Sequence, residues 1–168
     1  MQLLTTTGFT TGCYGEWLNT IMESSPSEWV MIHDHDIFLI DPDWYNIILG
    51  HIHDNPDAGL FVAVTNRIGN PRQKVKTDMH NHDLTYHAHI ARQVKGKPLI
   101  EATRPISGVV MVTSKTAWKI AGGFRPCGTI GTDTNYYGKL KEVGYKTYIM
   151  QDLYVYHKYR ADLCKPKD

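Results

Sequence analysis

Residues 29 to 44 read WVMIHDHDIFLIDPDW, two histidines alternating with two aspartates between apolar runs. Imidazole and carboxylate are both metal ligands, so the segment offers two chemistries. His33 and His35 suit a borderline ion such as Zn²⁺, as in a His-x-His-x-Asp metallohydrolase. Asp34 and Asp36 offer hard oxygen ligands to Mg²⁺ or Mn²⁺. Successive residues of a strand face opposite ways, so if strand geometry persists only one pair enters a given site. The histidine reading needs a further His close behind, yet IFLIDP is apolar and then opens a helix.

Eight of the nine histidines fall into His-x-His pairs, which calls for an explanation or a dismissal. His51 and His53 lie near the end of an amphipathic helix, where a spacing of two means different faces, and read as a surface pair. His80/His82 and His87/His89 fall in a polar, turn-rich stretch and read as loop residues. The string HNH at 80–82 comes without the other parts of a nuclease site. Further along, Asp133 opens a helix, where a carboxylate also favours the positive end of the dipole. His157 stands at the end of a strand.

The elements that must position these groups follow from periodicity and capping. Residues 14–24 carry Trp17, Leu18, Ile21 and Met22 at helical spacing. Residues 28–32 read as a buried strand running into HDHD. Asp41 is a candidate N-cap with Pro42 in the first turn of a helix that presents Trp44, Ile47, Ile48 and Ile52. A strand follows over 59–64. Residues 65–97 are polar and turn-rich, then weakly helical over LTYHAHIARQV, and long stretches of this kind are often functional loops. A strand over 106–113 leads to Ser114, the cap of a short helix that Gly122-Gly123 ends. Residues 132–143 form another helix, and 147–150 and 153–157 two short strands. Strands alternating with helices predict an α/β domain with a largely parallel sheet, in which ligands sit outside the carboxyl ends of strands.

Composition narrows the function. At 168 residues the chain is one domain with room for a core. Lys plus Arg total 18 against 17 acids, so there is no basic surplus to hold nucleic acid or a membrane surface. Three widely spaced cysteines form neither a disulfide framework nor a zinc ribbon. The N-terminus has no signal-peptide pattern and no segment has the length of a membrane span, which predicts a cytoplasmic protein without a transmembrane segment.

The ordered motifs resemble a glycosyltransferase of the GT-A fold, close to the family-2 type, across about residues 8 to 159. Asp34-His35-Asp36, after an apolar strand, is similar to that family's DXD motif. Ser107-Gly108 and Gly122-Gly123-Phe124 resemble its acceptor-side strand and GGF turn. Gly131-Thr132-Asp133-Thr134-Asn135 resembles its Glu/Asp-Asp segment, with Thr132 in place of the first acid. Gly144-Tyr145-Lys146 and Val155-Tyr156-His157 resemble the closing turn and terminal histidine, and residues 12–19 the donor-side helix.

The resemblance implies a three-layer GT-A sandwich with a mostly parallel sheet, shortened at its N-terminal side. LLTTTGF would replace at most one short strand there, which leaves room for a homo-oligomer or a partner to complete the sheet. It further implies a metal-dependent, inverting transferase that moves a sugar from a UDP, GDP or TDP sugar to a sugar or other hydroxyl acceptor. Asp34, Asp36 and His157 would hold Mn²⁺ or Mg²⁺, and Asp133 would be the general base. Asn19 and Asp34 would touch the donor, and Gly108, Gly123, Phe124 and Thr132 the acceptor. The loop over 65–97 would shape acceptor recognition. The rival readings are the His-x-His metallohydrolase and a binding module for nucleotide or sugar that has lost catalysis.

Overall fold

A computed structural model describes residues 1–6, 13–126 and 131–158. Helices form where apolar side chains recur every three or four residues. Helix α1 (Tyr14–Ser24) buries Leu18 and Met22. Helix α2 (Trp44–Asp54) buries Ile48, with Trp44, Ile47 and Ile52 packed around it. Helix α3 (Leu84–Val94) begins at Asp83, whose carboxylate accepts the Thr85 N–H at 2.8 Å. Helix α4 (Lys115–Ile120) is capped as expected: the Ser114 hydroxyl accepts the Ala117 N–H at 3.1 Å. Helix α5 (Thr132–Glu142) buries Thr132, Tyr136, Tyr137 and Leu140. The predicted cap of α2 is corrected: Asp41 accepts the Asp43 N–H in a tight turn that leaves Pro42 outside the helix.

Seven strands form one sheet: β1 (Gln2–Thr6), β2 (Trp29–Asp34), β3 (Ile37–Leu39), β4 (Ala58–Thr65), β5 (Leu99–Glu101), β6 (Val110–Ser114) and β7 (Lys146–His157). Their order is β1-β2-β6-β4-β7-β3, with β5 also paired to β7. The α/β class holds, and the sheet is mixed rather than mostly parallel. Among the described residues, β1–β2 and β4–β7 are the strand pairs that run parallel, and β6 runs antiparallel between β2 and β4. An apolar run such as VMVT buries equally well in either direction, so its composition does not fix its sense. The strands expected at 147–150 and 153–157 are one strand, bent where Ala63 and Val64 face Met150 and Tyr154.

Helices cover both faces. Helices α1, α3, α4 and α5 pack with Val30, Ile32, Leu60, Val62 and Met111, and α2 packs on the opposite face with Met31, Phe61, Val112 and Met150. Strand β4, buried along its whole length, is the centre. The pairings also fix direction. Strands β1, β2, β4 and β7 run one way and β3, β5 and β6 the other. The carboxyl ends of β2, β4 and β7 therefore meet the amino end of β6 at one end of the sheet.

Two of the dismissed histidines are structural. His87 is not a loop residue: it is wholly buried in α3, on the stripe that carries Ile90, Ala91 and Val94. Its Nε2–H donates to the Asn81 carbonyl at 2.8 Å, and Nδ1 accepts the Tyr154 hydroxyl at 2.7 Å. The ring stacks on Tyr156 with centroids 3.8 Å apart. Burial pushes its pKa below the ordinary histidine range, which favours the neutral ring this bonding requires. His51 is partly buried and paired, its Nε2 lying 2.8 Å from Asp152 Oδ1. These contacts fasten α3 and α2 to β7, the strand that ends in His157.

Candidate metal centre and neighbouring acid

Strand β2 delivers Asp34 as its last residue, with the backbone N–H still paired to the Val109 carbonyl at 3.0 Å. The strand then breaks, so Asp36 comes from the turn that follows rather than from a continued strand. That turn is pinned to the far end of the chain: the Lys158 N–H donates to the Asp36 carbonyl at 2.9 Å, and Ile37 pairs with His157. Ligand atoms of Asp34, Asp36 and His157 all lie within 4.8 Å of one another. Two segments more than 120 residues apart are thus brought to one point by the sheet.

The aim of His157 is fixed from three sides. Asn66, buried at the end of β4, accepts the His157 N–H at 2.8 Å and donates to its carbonyl at 3.2 Å. The ring Nδ1–H donates to the Arg67 carbonyl at 2.9 Å. That bond leaves Nε2 directed at Asp36, 3.3 Å from Oδ1. A neutral Nε2 and a carboxylate oxygen both present lone pairs, and they attract only through a shared proton or a cation. A ligand imidazole commonly donates its other N–H to a backbone carbonyl, as here. Two carboxylates and one imidazole together form a mixed oxygen and nitrogen donor set. These residues fit a divalent ion.

Asp133 reaches the same end of the sheet through Gly108, whose neighbour Val109 accepts the Asp34 N–H. It lies in the first turn of α5, whose N-cap is Gly131. Its Oδ2 accepts the Gly108 N–H at 2.7 Å and its Oδ1 the Thr134 N–H at 2.7 Å. The acid is therefore tied to the segment that enters β6, at the end of the sheet where Asp34 emerges. Position 108 must be glycine for this: a Cβ there would lie 2.9 Å from the Asp133 Cβ, closer than real contacts allow.

Burial pushes the Asp34 carboxyl up to about 6, against the pull of His157 and with the Asp36 carboxylate adding to the rise. His35 opposes the rise and Asp133 contributes to it. The unfolded group titrates near 3.8. Between these values the folded chain keeps a proton that the unfolded chain has lost, so stability falls as pH rises from about 4 to about 6. The loss reaches about 3 kcal/mol above that window. An ion bound by the carboxylate form offsets it. The gain in melting temperature on adding Mn²⁺ is expected to be small near pH 5 and several degrees near pH 7.5. A gain that does not change with pH would remove Asp34 from the ligand set.

Other expected site residues fall elsewhere. Asn19 is engaged within the chain: its Oδ1 accepts the Trp118 Nε1–H at 3.0 Å and the Phe124 N–H at 2.7 Å, and its Nδ2 donates to the Phe124 carbonyl at 2.9 Å. It clips the Gly122-Gly123-Phe124 turn to α1. Gly123 has φ +71° and its Cβ position lies 2.8 Å from the Asn19 Oδ1, so the turn accepts no side chain there. Phe124 is buried against Tyr136, and Thr132 is buried at the start of α5, so neither presents a surface to an acceptor. Of the four acceptor-side residues, Gly108 is the one that bonds the acid. Of the HDHD histidines, His33 is buried with Nδ1 on its neighbour's carbonyl and His35 is exposed.

Sequence reasoning missed Asn66, Gln73 and the carbonyl of Arg67, which aim the site's parts. Only the turn-rich run after β4 hinted at them. Among the described residues, no helix is long and apolar enough to cross a membrane. Comparison of the sequence with protein-family models finds no match, and no curated protein matches it.

Proposed function

We propose that this chain is a metal-dependent inverting glycosyltransferase that moves a sugar from a nucleotide-diphosphate sugar to a hydroxyl acceptor. One observation carries the reading: the ligand atoms of Asp34, Asp36 and His157 gather at one point, and the separate acid Asp133 is bonded to Gly108, whose neighbour Val109 accepts the Asp34 N–H. Such an arrangement separates a cation site from a base, as a displacement with an anionic leaving group requires. Mn²⁺ or Mg²⁺ held by the trio would supply positive charge to the donor diphosphate and to the departing nucleotide.

In this reading Asp133 takes the proton of the acceptor hydroxyl, and the oxygen attacks the anomeric carbon from the side opposite the diphosphate. The bond from that carbon to the diphosphate oxygen breaks, its electron pair leaves with the nucleotide, and the configuration inverts. Gly108 holds the carboxylate in place by its N–H, and the second oxygen, on Thr134, retains a lone pair. The hydrolase reading loses support, because His33 and His35 do not enter the cluster and one imidazole alone joins it.

Calorimetry of UDP, GDP and TDP sugars with and without Mn²⁺ tests the proposal. Binding of one donor type that tightens with Mn²⁺, followed by transfer or slow hydrolysis, is expected. Tight binding with no turnover under any acceptor would instead identify a binding module. Zinc retained in stoichiometric amount through purification would return the hydrolase.

A further inference from the structure

A cavity of about 330 Å³ opens between the loop at residues 69–71 and the segment at 104–107, with Thr134 on one side. That volume is at the small end of ligand pockets and suits a monosaccharide-sized ligand. Ser107 and Thr134 are the chain neighbours of Gly108 and Asp133, which are themselves hydrogen-bonded. The cavity therefore abuts the acid assigned as the base.

Its walls are fixed by amides rather than by charges. Asn70 Nδ2 donates to the Pro105 carbonyl at 2.8 Å, joining the two loops across the cavity. Gln73, wholly buried, donates to the carbonyls of Ala63 and Ser107 and accepts the Ser107 N–H. Both loops are thus fastened by side-chain amides.

The charge left over has one sign. Residues 68–77 contain Arg72, Lys74 and Lys76 and no acid, and residues 102–107 contain Arg104 and no acid. Arg104 lines the cavity, is exposed, and makes no side-chain hydrogen bond or ion pair among the described residues. Exposed arginines are commonly just solvated. This one sits on a concave wall whose two loops offer it no carboxylate, and a guanidinium fork matches the planar oxygens of carboxylate and phosphate.

We propose that the acceptor is anionic: a sugar or polyol carrying a carboxylate or phosphate, with that group on Arg104 and a hydroxyl turned to Asp133. The inference rests on the reading of this site as a transferase with Asp133 as its base. Arg104 then acts as a specificity-determining residue. It draws the anionic end of the ligand away from the three carboxylates of the site and so orients the hydroxyl toward them.

The test measures binding to the intact chain, in EDTA and without nucleotide, of two anionic probes and their neutral counterparts. Methyl glucuronide is paired with methyl glucoside, and glucose 6-phosphate with glucose. At least one anionic probe is expected to bind about tenfold or more tighter than its neutral partner. Arg104→Gln should remove that preference without changing the melting temperature, and Arg104→Lys should restore part of it. A preference in the first pair assigns a carboxylate, and in the second a phosphate. Equal binding within both pairs, no binding of either anionic probe, or an unchanged preference in Arg104→Gln overturns the inference. No donor or ion takes part, so failure of the metal assignment leaves this result standing. Equally efficient transfer to neutral and anionic sugars would overturn the inference and leave the transferase intact.

Discussion

Asp36→Ala is expected to abolish the Mn²⁺ dependence of nucleotide binding while the chain stays folded. The side chain comes from a turn, and its ordered partner is the His157 imidazole 3.3 Å away. The backbone carbonyl of residue 36 keeps its bond from the Lys158 N–H whatever the side chain, so the turn loses little. What remains of the trio is one half-buried carboxyl and one buried imidazole. Substitution of groups that merely support a ligand costs about 10- to 100-fold in metal affinity, and loss of a ligand itself should exceed that. Calorimetry with and without Mn²⁺ should give the same weak nucleotide affinity for the variant. His35→Ala, which alters an exposed side chain outside the cluster, is the control that should keep the metal effect. Retained Mn²⁺ dependence in Asp36→Ala would move the ion to another place on the molecule.

Asp133→Asn is expected to lower turnover by about 100- to 10,000-fold, the range that a positioned base contributes, with donor binding unchanged. An asparagine amide oxygen still accepts the Gly108 N–H, so the start of α5 and the entry to β6 keep their bond. What it cannot do is take a proton. Donor consumption in the presence of acceptor measures the loss, and Mn²⁺-dependent nucleotide binding measures what is spared. Wild-type turnover in this variant would eliminate Asp133 as the base.

Much of the fold was legible because local chemistry decides it. The Ser114 cap, the apolar face of α1 and the unbroken apolar run of β4 each state their structure in a few consecutive letters. The sense of β6 was not legible, since four β-region apolar residues read alike in both directions. Strand β3 was missed because Ile37–Leu39 is too short to show a period and pairs with a strand far along the sequence. His87 could have been found: with Ile90, Ala91 and Val94 it falls at positions i, i+3, i+4 and i+7 of one helix face.

The candidate site divides in the same way. The types and spacing of Asp34 and Asp36 were visible, and the resemblance singled out Asp133 and His157. What holds them was not visible. Asn66 orients His157 from a loop with no motif, and Asn19 turned out to hold a turn with the same amide that a ligand contact would use. A side-chain amide advertises hydrogen bonding without naming the partner, and only the folded chain chooses it.

The order of the strands has a last consequence. Asp34 ends β2 and His157 ends β7, and between them in the sheet lie β6 and β4, contributed by two other stretches of the chain. No excised peptide or half-length piece can carry the trio, because Asp34 and Asp36 flank one turn early in the chain and His157 ends β7, which reaches that turn only through its pairing with β3. Local fraying at that rim, well short of global unfolding, would scatter the ligands and free the ion. Metal release should therefore report the integrity of this rim before any spectroscopic sign of the core coming apart.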